Sequence, residues 1–258
     1  MRAINSAMAL SKELDTGLKI IWAKDKGLNA NFSDLFEFPA DKNFEIYEPG
    51  FGFYNLPYTM RYPIYMNTIK NLLRLRYDKV LILNQFKLER IEPDSLKKYK
   101  NVFITSYSSQ YYESEFDCEL FKPKGKLRNA IDSISSELWD NTYGIHIRRG
   151  DNKESSHYSP TELFIKKIDE ILIEEKDAHF YLATDSEIER KTFVEKYGER
   201  IITKNLTVGR NSLEGIESAV IDMFVLSGTK KIIGSYWSSF SEVAAMLGGV
   251  ELEQVRKC

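Results

Sequence analysis

The second half of the chain alternates short apolar runs with amphipathic stretches of ten residues or more, and this alternation limits the possible folds more than any other feature. The apolar runs that predict strands are YGIHI (Tyr143–Ile147), AHFYLATD (Ala178–Asp185), ERIITK (Glu199–Lys204) and KKIIGS (Lys230–Ser235). Three amphipathic stretches lie between these runs, and a fourth follows the last one. Strands that alternate with helices of this length indicate βαβ units, in which the strands run parallel. The chain is therefore predicted to be an α/β protein.

Polar residues predict where three of these helices begin. A serine followed three residues later by a glutamate is typical of the first turn of a helix, because each side chain accepts a hydrogen bond from a free backbone N–H group. The pairs are Ser159 with Glu162, Ser186 with Glu189, and Ser239 with Glu242. Pro160 suits the first helical position because its missing N–H group is not needed there. We therefore expect Ser159, Ser186 and Ser239 to cap their helices.

The first half is predicted to form a separate and less regular α/β region. Its strand candidates are LKIIWA (Leu18–Ala23), KVLILNQF (Lys79–Phe86) and KNVFITSY (Lys100–Tyr107). An aromatic-rich stretch at 48–66 either fills a core or forms a surface on which sugars or bases stack. The polar, turn-prone segment FKPKGK (Phe121–Lys126) is the predicted linker. We therefore expect an N-terminal lobe at 1–120 and a C-terminal lobe at 127–258.

The first residues predict an amphipathic helix that begins almost at residue 1 and leads directly into the Leu18–Ala23 strand. An α/β unit ordinarily opens with a strand. The order of elements therefore favours a chain that begins inside such a unit, with its first strand and loop missing.

Composition places the chain among ordinary globular proteins. Of its 258 residues, 43% are hydrophobic and 13% are aromatic, which is enough to form a core in each of two small lobes. A net charge of −2 and a pI near 6.1 argue against a general nucleic-acid or membrane-surface binder, because either would need a basic surface.

The two cysteines, Cys118 and Cys258, do not suggest a disulfide framework, and no stretch approaches the roughly 20 apolar residues that span a bilayer. The N-terminal stretch lacks the apolar core of a signal peptide, so the predicted location is the cytoplasm.

Polar residues collect where the predicted strands of the second half end. Arg148, Arg149 and Asp151 follow the first strand, Asp185 ends the second, and Ser235, Ser238 and Ser239 end or follow the last. A parallel sheet brings the carboxyl ends of its strands to one edge, where α/β proteins bind their ligands. Two guanidinium groups beside a serine-rich helix start form an anion site, because arginine binds two oxygens at once and the helix dipole adds positive charge. A nucleotide diphosphate suits this site, and Asp185 could accept from ribose hydroxyl or base N–H groups.

The sequence lacks the signatures of other nucleotide-binding sites. It contains no G-x-G-x-x-G and no G-x-x-x-x-G-K-[ST] motif, which argues against a dinucleotide-binding fold of the usual kind and against a P-loop. It also lacks an Asp-x-Asp pair, which many sugar-nucleotide enzymes use to hold a divalent cation against a diphosphate. His146, His157 and Cys118 do not have the spacing of zinc ligands. We therefore expect no metal and no cofactor, with the arginines neutralising the diphosphate.

These residues also have purely structural interpretations. Arg148 or Arg149 could form an ion pair with Asp185 or Asp151, His146 could be a hydrogen-bonded interior residue, and the SSFS run could do no more than cap its helix. Alternation separates the two arginines, because successive side chains of a strand face opposite sides. Arg148 then shares the polar side with His146 and meets the diphosphate. Arg149 turns back to pair with a carboxylate near the loop, for which Asp151 is a candidate.

Three segments in this order resemble the motifs of the GDP-fucose-dependent fucosyltransferases, the superfamily of α-1,2-, α-1,6- and protein O-fucosyltransferases. The segments are HIRRGD (His146–Asp151), FYLATD (Phe180–Asp185) and DMFVLS…GSYWSSFSEVAA (Asp222–Ala245). YLATD with the upstream YSPTELF is most similar to the α-1,6 group, whereas HIRRGD with SSFS is equally similar to the α-1,2 group. RAINSAMAL at the start is similar to the end of a loop and helix of bacterial members, without the glycine of that loop.

The resemblance implies a GT-B-like fold of two Rossmann-like lobes, here with a reduced N-terminal lobe. It also implies an inverting transfer of fucose from GDP-fucose to a glycan hydroxyl without a metal, α-1,6-like rather than α-1,2. Carried over by position from the family, Arg148 would bind the β-phosphate, and Ser238 and Ser239 would bind the diphosphate. His146 and Asp222 would bind the nucleoside, and Asp185 would bind its ribose or guanine side. Arg149 is a further candidate for binding the GDP-sugar.

Two carboxylates are candidates for the catalytic base, Glu154 and Asp151. The α-1,6 pattern has a lysine directly after the motif aspartate and a glutamate four residues further on. Here Asn152 follows Asp151, the lysine is Lys153 and the carboxylate is Glu154, in a loop one residue shorter. Alternatives to fucosyl transfer are a transferase that uses another GDP-sugar, such as GDP-rhamnose or GDP-mannose, and a non-catalytic nucleotide- or glycan-binding relative.

Overall fold

The structure, a computed structural model, describes most of the chain. The described ranges are 1–22, 24, 27–39, 44–49, 70–83, 90–106, 111, 116–150, 152–204, 209 and 211–257. Asp151 and Cys258 lie outside them, as do 50–66 of the aromatic-rich stretch and 84–86 of the predicted Lys79–Phe86 strand. Within the described ranges, no helix has the length and apolar character needed to cross a membrane.

The chain divides into two compact units. The first comprises Met1–Asp25, Asn31–Ser33 and Glu37–Lys122, and the second comprises Lys26–Ala30, Asp34–Phe36 and Pro123–Cys258. The main division therefore lies within the FKPKGK segment. Two short segments from the first 40 residues belong to the second unit. The sequence prediction, which divided the chain at one linker, did not include this exchange.

The first unit contains two pairs of parallel strands. The elements up to Phe121 are α1 (Arg2–Glu13), β1 (Leu18–Ile21), α2 (Phe32–Leu35), β2 (Phe44–Tyr47), α3 (70–74), β3 (Lys79–Ile82), β4 (Val102–Thr105) and two 3-10 turns, Pro93–Ser95 and Cys118–Phe121. β1 pairs with β2, and β3 pairs with β4. The N-terminal helix and the three predicted strands are confirmed, each strand being shorter than its apolar run.

The second unit is built around a five-stranded parallel sheet with the strand order β7-β6-β5-β8-β9. The strands are β5 (Thr142–Ile147), β6 (His179–Thr184), β7 (Ile201–Ile202), β8 (Ile232–Ser235) and β9 (Leu252–Val255). The helices are α4 (Gly125–Ser135), α5 (Lys153–Tyr158), α6 (Thr161–Glu174), α7 (Glu187–Tyr197), α8 (Leu213–Ser227) and α9 (Ser239–Gly248), with a 3-10 turn at Gly198–Arg200. The predicted α/β class with a parallel sheet is confirmed. Strand β9 was missed because its LEQV sequence is short and half polar.

The central strand β5 is buried on both faces. On one face, Ile145 is fully buried and packs in a cluster with Phe164 of α6. On the other face, Gly144 allows α8 to approach closely, since a Cβ at this position would lie 2.8 Å from the side chain of Leu226. A strand buried on both faces leaves no room for water, so the polar His146 must find its hydrogen-bond partner within the protein.

Ser159 does not cap α6, contrary to the prediction. The helix begins at Thr161, its N-cap is Pro160, and no side chain makes a capping hydrogen bond. The hydroxyl of Ser159 instead donates to the carbonyl of Val255 at 2.6 Å and accepts from the backbone N–H of Tyr236 at 2.8 Å. These long-range bonds tie the segment between α5 and α6 to the ends of β8 and β9. Tertiary contacts have therefore overridden the local capping pattern.

The other two capping predictions differ in outcome. Oγ of Ser186 accepts from the backbone N–H of Glu189 at 3.3 Å, which confirms the cap of α7. The prediction for α9 is wrong, because the N-cap is Ser238 rather than Ser239 and no side chain makes a capping hydrogen bond. The first turn of α9 is therefore not closed by a serine hydroxyl.

Candidate functional site

The carboxyl ends of β5 and β8 lie side by side and are joined by the hydroxyl of Ser235. This hydroxyl accepts from the backbone N–H of Arg148 at 3.0 Å and donates to the carbonyl of His146 at 3.4 Å. Ser235 is completely buried. Its hydrogen bonds extend the contact between the two strands beyond their last register pair, His146 with Gly234. Arg148 therefore leaves the sheet at the centre of its carboxyl edge.

The guanidinium of Arg148 forms an ion pair with Asp185, the residue that follows β6. Nη1 of Arg148 donates to Oδ2 of Asp185, and the side chains are 17% and 20% exposed. Oδ1 of Asp185 accepts from the backbone N–H of Arg149 at 2.7 Å. The geometry thus matches the structural interpretation of Arg148, but the pair remains partly open to solvent. An anion that reaches Arg148 must share the guanidinium with Asp185 or displace it.

Gly150 allows the loop after β5 to pass close to Asp185. Its φ of +30° lies in the region that favours glycine, and a Cβ at this position would lie 2.6 Å from Oδ2 of Asp185. A side chain here would therefore displace the Arg148–Asp185 pair. The next residue, Asp151, lies outside the described residues, so its role as a candidate base stays a prediction.

Arg149 turns away from the edge into the interior of the second unit. Its Nε donates to Oε1 of Glu189 at 2.6 Å, Nη1 to the carbonyl of Ser159 at 3.0 Å, and Nη2 to Oγ1 of Thr161 at 3.2 Å. The guanidinium lies 6.0 Å from the ring centroid of Phe164, on the same face of β5 as Ile145. Alternation therefore separates the two arginines as predicted. The carboxylate partner is Glu189 of α7. The sequence had suggested a carboxylate near the loop, with Asp151 as the candidate.

His146 faces α9 and is almost completely buried. Its Nδ1 lies 2.7 Å from Oγ of Ser241, and its ring stacks on Phe240 with the centroids 4.6 Å apart. Burial, and secondarily the charge of Arg148, lowers the pKa of His146 to about 3. The imidazole is therefore neutral at physiological pH, where it can exchange hydrogen bonds but cannot supply a positive charge. The geometry matches that of a hydrogen-bonded interior histidine.

The start of α9 brings backbone N–H groups to the edge where β8 ends. Ser238 is buried and Ser239 is exposed. Because no side chain caps this helix, its first N–H groups and the positive end of its dipole point towards the loop after β8. Both serines therefore lie at the edge to which Arg148 is also joined through Ser235.

Asp222 of α8 belongs to a second group of polar side chains, which are buried or partly buried. Its Oδ1 accepts from the hydroxyl of Tyr181 at 2.7 Å and lies 3.1 Å from Nζ of Lys204, which also donates to the carbonyl of Ser218. Burial raises the pKa of Asp222 and lowers that of Lys204. Tyr181 lies in the FYLATD segment, but nothing in the sequence connected it or Lys204 with Asp222. The partners of Asp222 thus come from β6 and from the residues after β7.

Asn152 joins the loop after β5 to the loop after β8. Its Oδ1 accepts from the backbone N–H of Ser155 at 3.0 Å, which caps α5, and its Nδ2 donates to the carbonyl of Trp237 at 3.1 Å. Glu154, in the first turn of α5, is exposed. Its carboxylate is therefore accessible to a second substrate.

Three residues that organise this edge were not predicted from the sequence: Asn152, Ser159 and Glu189. Ser159 and Glu189 each belong to a serine–glutamate capping pair, and this pattern explained them only as residues of a helix start. Asn152 stood out only as a departure from the family pattern. Besides their local capping bonds, these residues have partners between 10 and 96 positions away along the chain, which only the packed fold identifies.

Among the described residues, no three His, Cys, Asp or Glu side chains come together in a way that could hold a metal ion. The guanidinium of Arg148 and the first backbone N–H groups of α9 supply positive charge at this edge. That this site works without a metal ion stays a prediction, which experiment must test.

Comparisons with known proteins give similarity at the level of structure. No family model matches the sequence, and no curated protein matches it either. The structure is similar to NodZ α-1,6-fucosyltransferase soaked with GDP-fucose, with a TM-score of 0.60 and 17% identity over 95% of this chain and 86% of that chain. It is also similar to fucosyltransferase NodZ from Bradyrhizobium (TM-score 0.59, 16% identity, 95% and 87% covered). A mutant of Arabidopsis thaliana FUT1 in complex with GDP matches with a TM-score of 0.58 and 15% identity over 97% of this chain and 66% of that chain.

These similarities extend over nearly the whole chain and confirm the GT-B-like α/β fold that the resemblance implies. At such low identity they concern the fold. The chemistry must be argued from the residues at the carboxyl edge of the sheet.

Proposed function

We propose that this protein is an inverting, metal-independent glycosyltransferase that moves fucose from GDP-fucose to a glycan hydroxyl. The position of Arg148 carries the proposal. This arginine follows the central strand of the sheet, and its backbone N–H is bound by Ser235, which ends the strand that leads to α9. The fold that holds it is shared with fucosyltransferases whose solved structures were soaked with GDP-fucose or contain GDP.

Donor binding uses the charges of this edge. The diphosphate of GDP-fucose contacts the guanidinium of Arg148 and the first N–H groups of α9, near Ser238 and Ser239. Asp185 then exchanges part of its contact with Arg148 for ribose hydroxyl or base N–H groups. The resemblance places His146 and Asp222 on the nucleoside side, where contact would require His146 to open its hydrogen bond with Ser241 and Asp222 to open its contacts with Tyr181 and Lys204.

Bond breaking places new negative charge on the donor. The acceptor oxygen bonds to C1 of fucose while the bond from C1 to the β-phosphate oxygen breaks, and GDP leaves with the electron pair. Attack from the opposite side inverts the configuration at C1. A guanidinium fixed beside the β-phosphate stabilises this charge more in the transition state than in the ground state, which is what raises the rate.

The acceptor hydroxyl must also lose its proton. Glu154 is the first candidate for the base, because it is an exposed carboxylate in the helix that follows the Arg148 loop. Asp151 is the second candidate. The base acts on the acceptor alone, so its loss should not alter the affinity for GDP.

The α-1,6 linkage is the more specific part of the proposal. It is supported by the YLATD and YSPTELF segments and by the similarity to NodZ, an α-1,6-fucosyltransferase. Another GDP-sugar, such as GDP-rhamnose or GDP-mannose, would use the same diphosphate contacts. Only a donor screen separates these sugars.

The test is incubation of the purified protein with GDP-fucose and a panel of oligosaccharides in EDTA, with released GDP as the measurement. We expect GDP release that depends on the acceptor and does not increase when Mg²⁺ or Mn²⁺ replaces EDTA. NMR of the product gives the linkage and the configuration at C1. Turnover that disappears in EDTA and returns with Mn²⁺ would contradict the metal-independent mechanism, and binding of GDP without turnover would leave only a binding protein.

A further inference from the structure

Trp237 combines two unfavourable features. Its side chain is 58% exposed, and its φ of +59° lies in the left-handed region that bulky residues rarely adopt. Exposing a large aromatic side chain forgoes the benefit of burying it, and the backbone conformation is strained. Glycine would fit the turn between β8 and α9 without this strain. A tryptophan at this position therefore indicates a role for the exposed ring itself.

The backbone that carries the ring is held in place by hydrogen bonds. The carbonyl of Trp237 accepts from Nδ2 of Asn152 at 3.1 Å, and the backbone N–H of Tyr236 is bound by Ser159. The ring of Tyr236 lies 6.3 Å from that of Trp237 and makes an edge contact with Tyr158 at 5.6 Å. Arg256 covers the Tyr236 ring at 5.1 Å. The turn therefore has a fixed backbone and presents the rings of Tyr236 and Trp237 side by side.

The position of this turn along the chain points to the acceptor, the second substrate of the proposed reaction. Trp237 directly precedes Ser238, at the start of α9. The side chain that binds its carbonyl, Asn152, caps α5 and lies two residues before Glu154. One hydrogen bond therefore connects the backbone of Trp237 with the helix that carries the proposed base.

We propose that the indole of Trp237 packs against the pyranose ring of the acceptor glycan and holds its hydroxyl beside Glu154. The inference rests on the proposed function and names a subsite for it. One face of a glucose-, galactose- or N-acetylglucosamine-type ring carries several C–H groups and no charge. Such a face matches an aromatic ring, whose surface is apolar and slightly negative. GDP, by contrast, is held by charges and hydrogen bonds, so Trp237 should matter for the acceptor and not for the nucleotide.

The test compares three variants with the wild-type chain. Trp237→Gly removes the ring and suits the positive φ, so folding should be preserved. Trp237→Phe keeps an aromatic face. Trp139→Ala is the matched control, because Trp139 is 53% exposed but precedes β5, at the opposite edge of the sheet. For each variant we would measure binding of GDP, binding of oligosaccharides ending in glucose, galactose or N-acetylglucosamine in the presence of GDP, and the KM for the best acceptor.

Trp237→Gly should weaken acceptor binding and raise the acceptor KM about tenfold, the effect of losing one good aromatic contact. GDP affinity should change less than twofold, Trp237→Phe should retain most of the acceptor affinity, and Trp139→Ala should match the wild type. Unchanged acceptor binding in Trp237→Gly, or a loss of GDP affinity instead, would overturn the inference. A wild-type chain that binds GDP but no oligosaccharide overturns this subsite and leaves the donor site standing, whereas a chain that does not bind GDP refutes the proposed function itself.

Discussion

Arg149 and Glu189 form a largely buried ion pair that holds the carboxyl end of β5 against α7. Nε of Arg149 lies 2.6 Å from Oε1 of Glu189, and the two side chains are only 16% and 9% exposed. The hydroxyl of Thr161 donates to the same oxygen at 2.7 Å. The neighbouring Arg148 pairs with Asp185 at the sheet edge. The two guanidinium groups are similarly exposed, but Glu189 is more buried than Asp185, and Arg149 also donates to Ser159 and Thr161, which suits Arg149 to the fold and Arg148 to an anionic ligand.

Replacing Arg149 by methionine should destabilise the protein strongly. The substitution keeps much of the side-chain volume but leaves the charge of Glu189 buried without its cation, which typically costs about 3 kcal/mol. The measurement is the free energy of unfolding in urea. Lys166→Met is the control, because it breaks an exposed pair with Glu170 (3.9 Å) and should change stability little. Equal effects of the two substitutions would contradict a structural role for Arg149.

Replacing Arg148 by lysine should abolish most activity while leaving stability nearly unchanged. Lysine keeps the charge but lacks the planar group that binds two phosphate oxygens, so kcat/KM for GDP-fucose should fall by roughly 10²–10³. Arg149→Lys is the companion variant and should act mainly on thermal stability. An active Arg148→Lys beside an inactive but stably folded Arg149→Lys would reverse the assignment.

Glu154→Gln should lower kcat without weakening GDP binding, because a base acts on the acceptor and does not touch a phosphate. Turnover and GDP affinity by calorimetry are the two measurements. Glu162→Gln is a matched control, since Glu162 is an exposed glutamate in the first turn of the next helix. If Glu154→Gln has full activity, Asp151→Asn becomes the decisive variant.

His146 should make the protein sensitive to mild acid. Its pKa is about 3 in the folded state and about 6.5 in the unfolded state, so the unfolded chain binds more protons between these values. Stability is therefore lost as the pH falls below about 6.5, by about 2 kcal/mol at pH 5. His146→Gln should remove this part of the pH dependence. Unfolding experiments at pH 7 and pH 5 would refute the prediction if both proteins showed the same change.

The sequence predictions were right where they depended on neighbouring residues and wrong where residues distant along the chain interact. The strands of the second half and the opposite orientations of Arg148 and Arg149 were predictable, because hydrophobic periodicity and strand alternation involve neighbouring residues. The caps at Ser159 and Ser239 were predicted wrongly. Ser159 had stronger partners elsewhere in the fold, in the carbonyl of Val255 and the N–H of Tyr236. Strand β9 is too short and polar to be recognised alone and forms because β8 offers a pairing edge.

By itself, the sequence determined the α/β class, the parallel sheet and the edge at which Arg148 and the serines collect. All of these depend on the order and periodicity of apolar residues along the chain. Only the tertiary structure decided the partner of each polar side chain: Glu189 for Arg149, Asp185 for Arg148, Lys204 and Tyr181 for Asp222. A hydrogen bond needs its two atoms within about 3 Å. Which side chains come that close is determined by how helices and strands distant in sequence pack together.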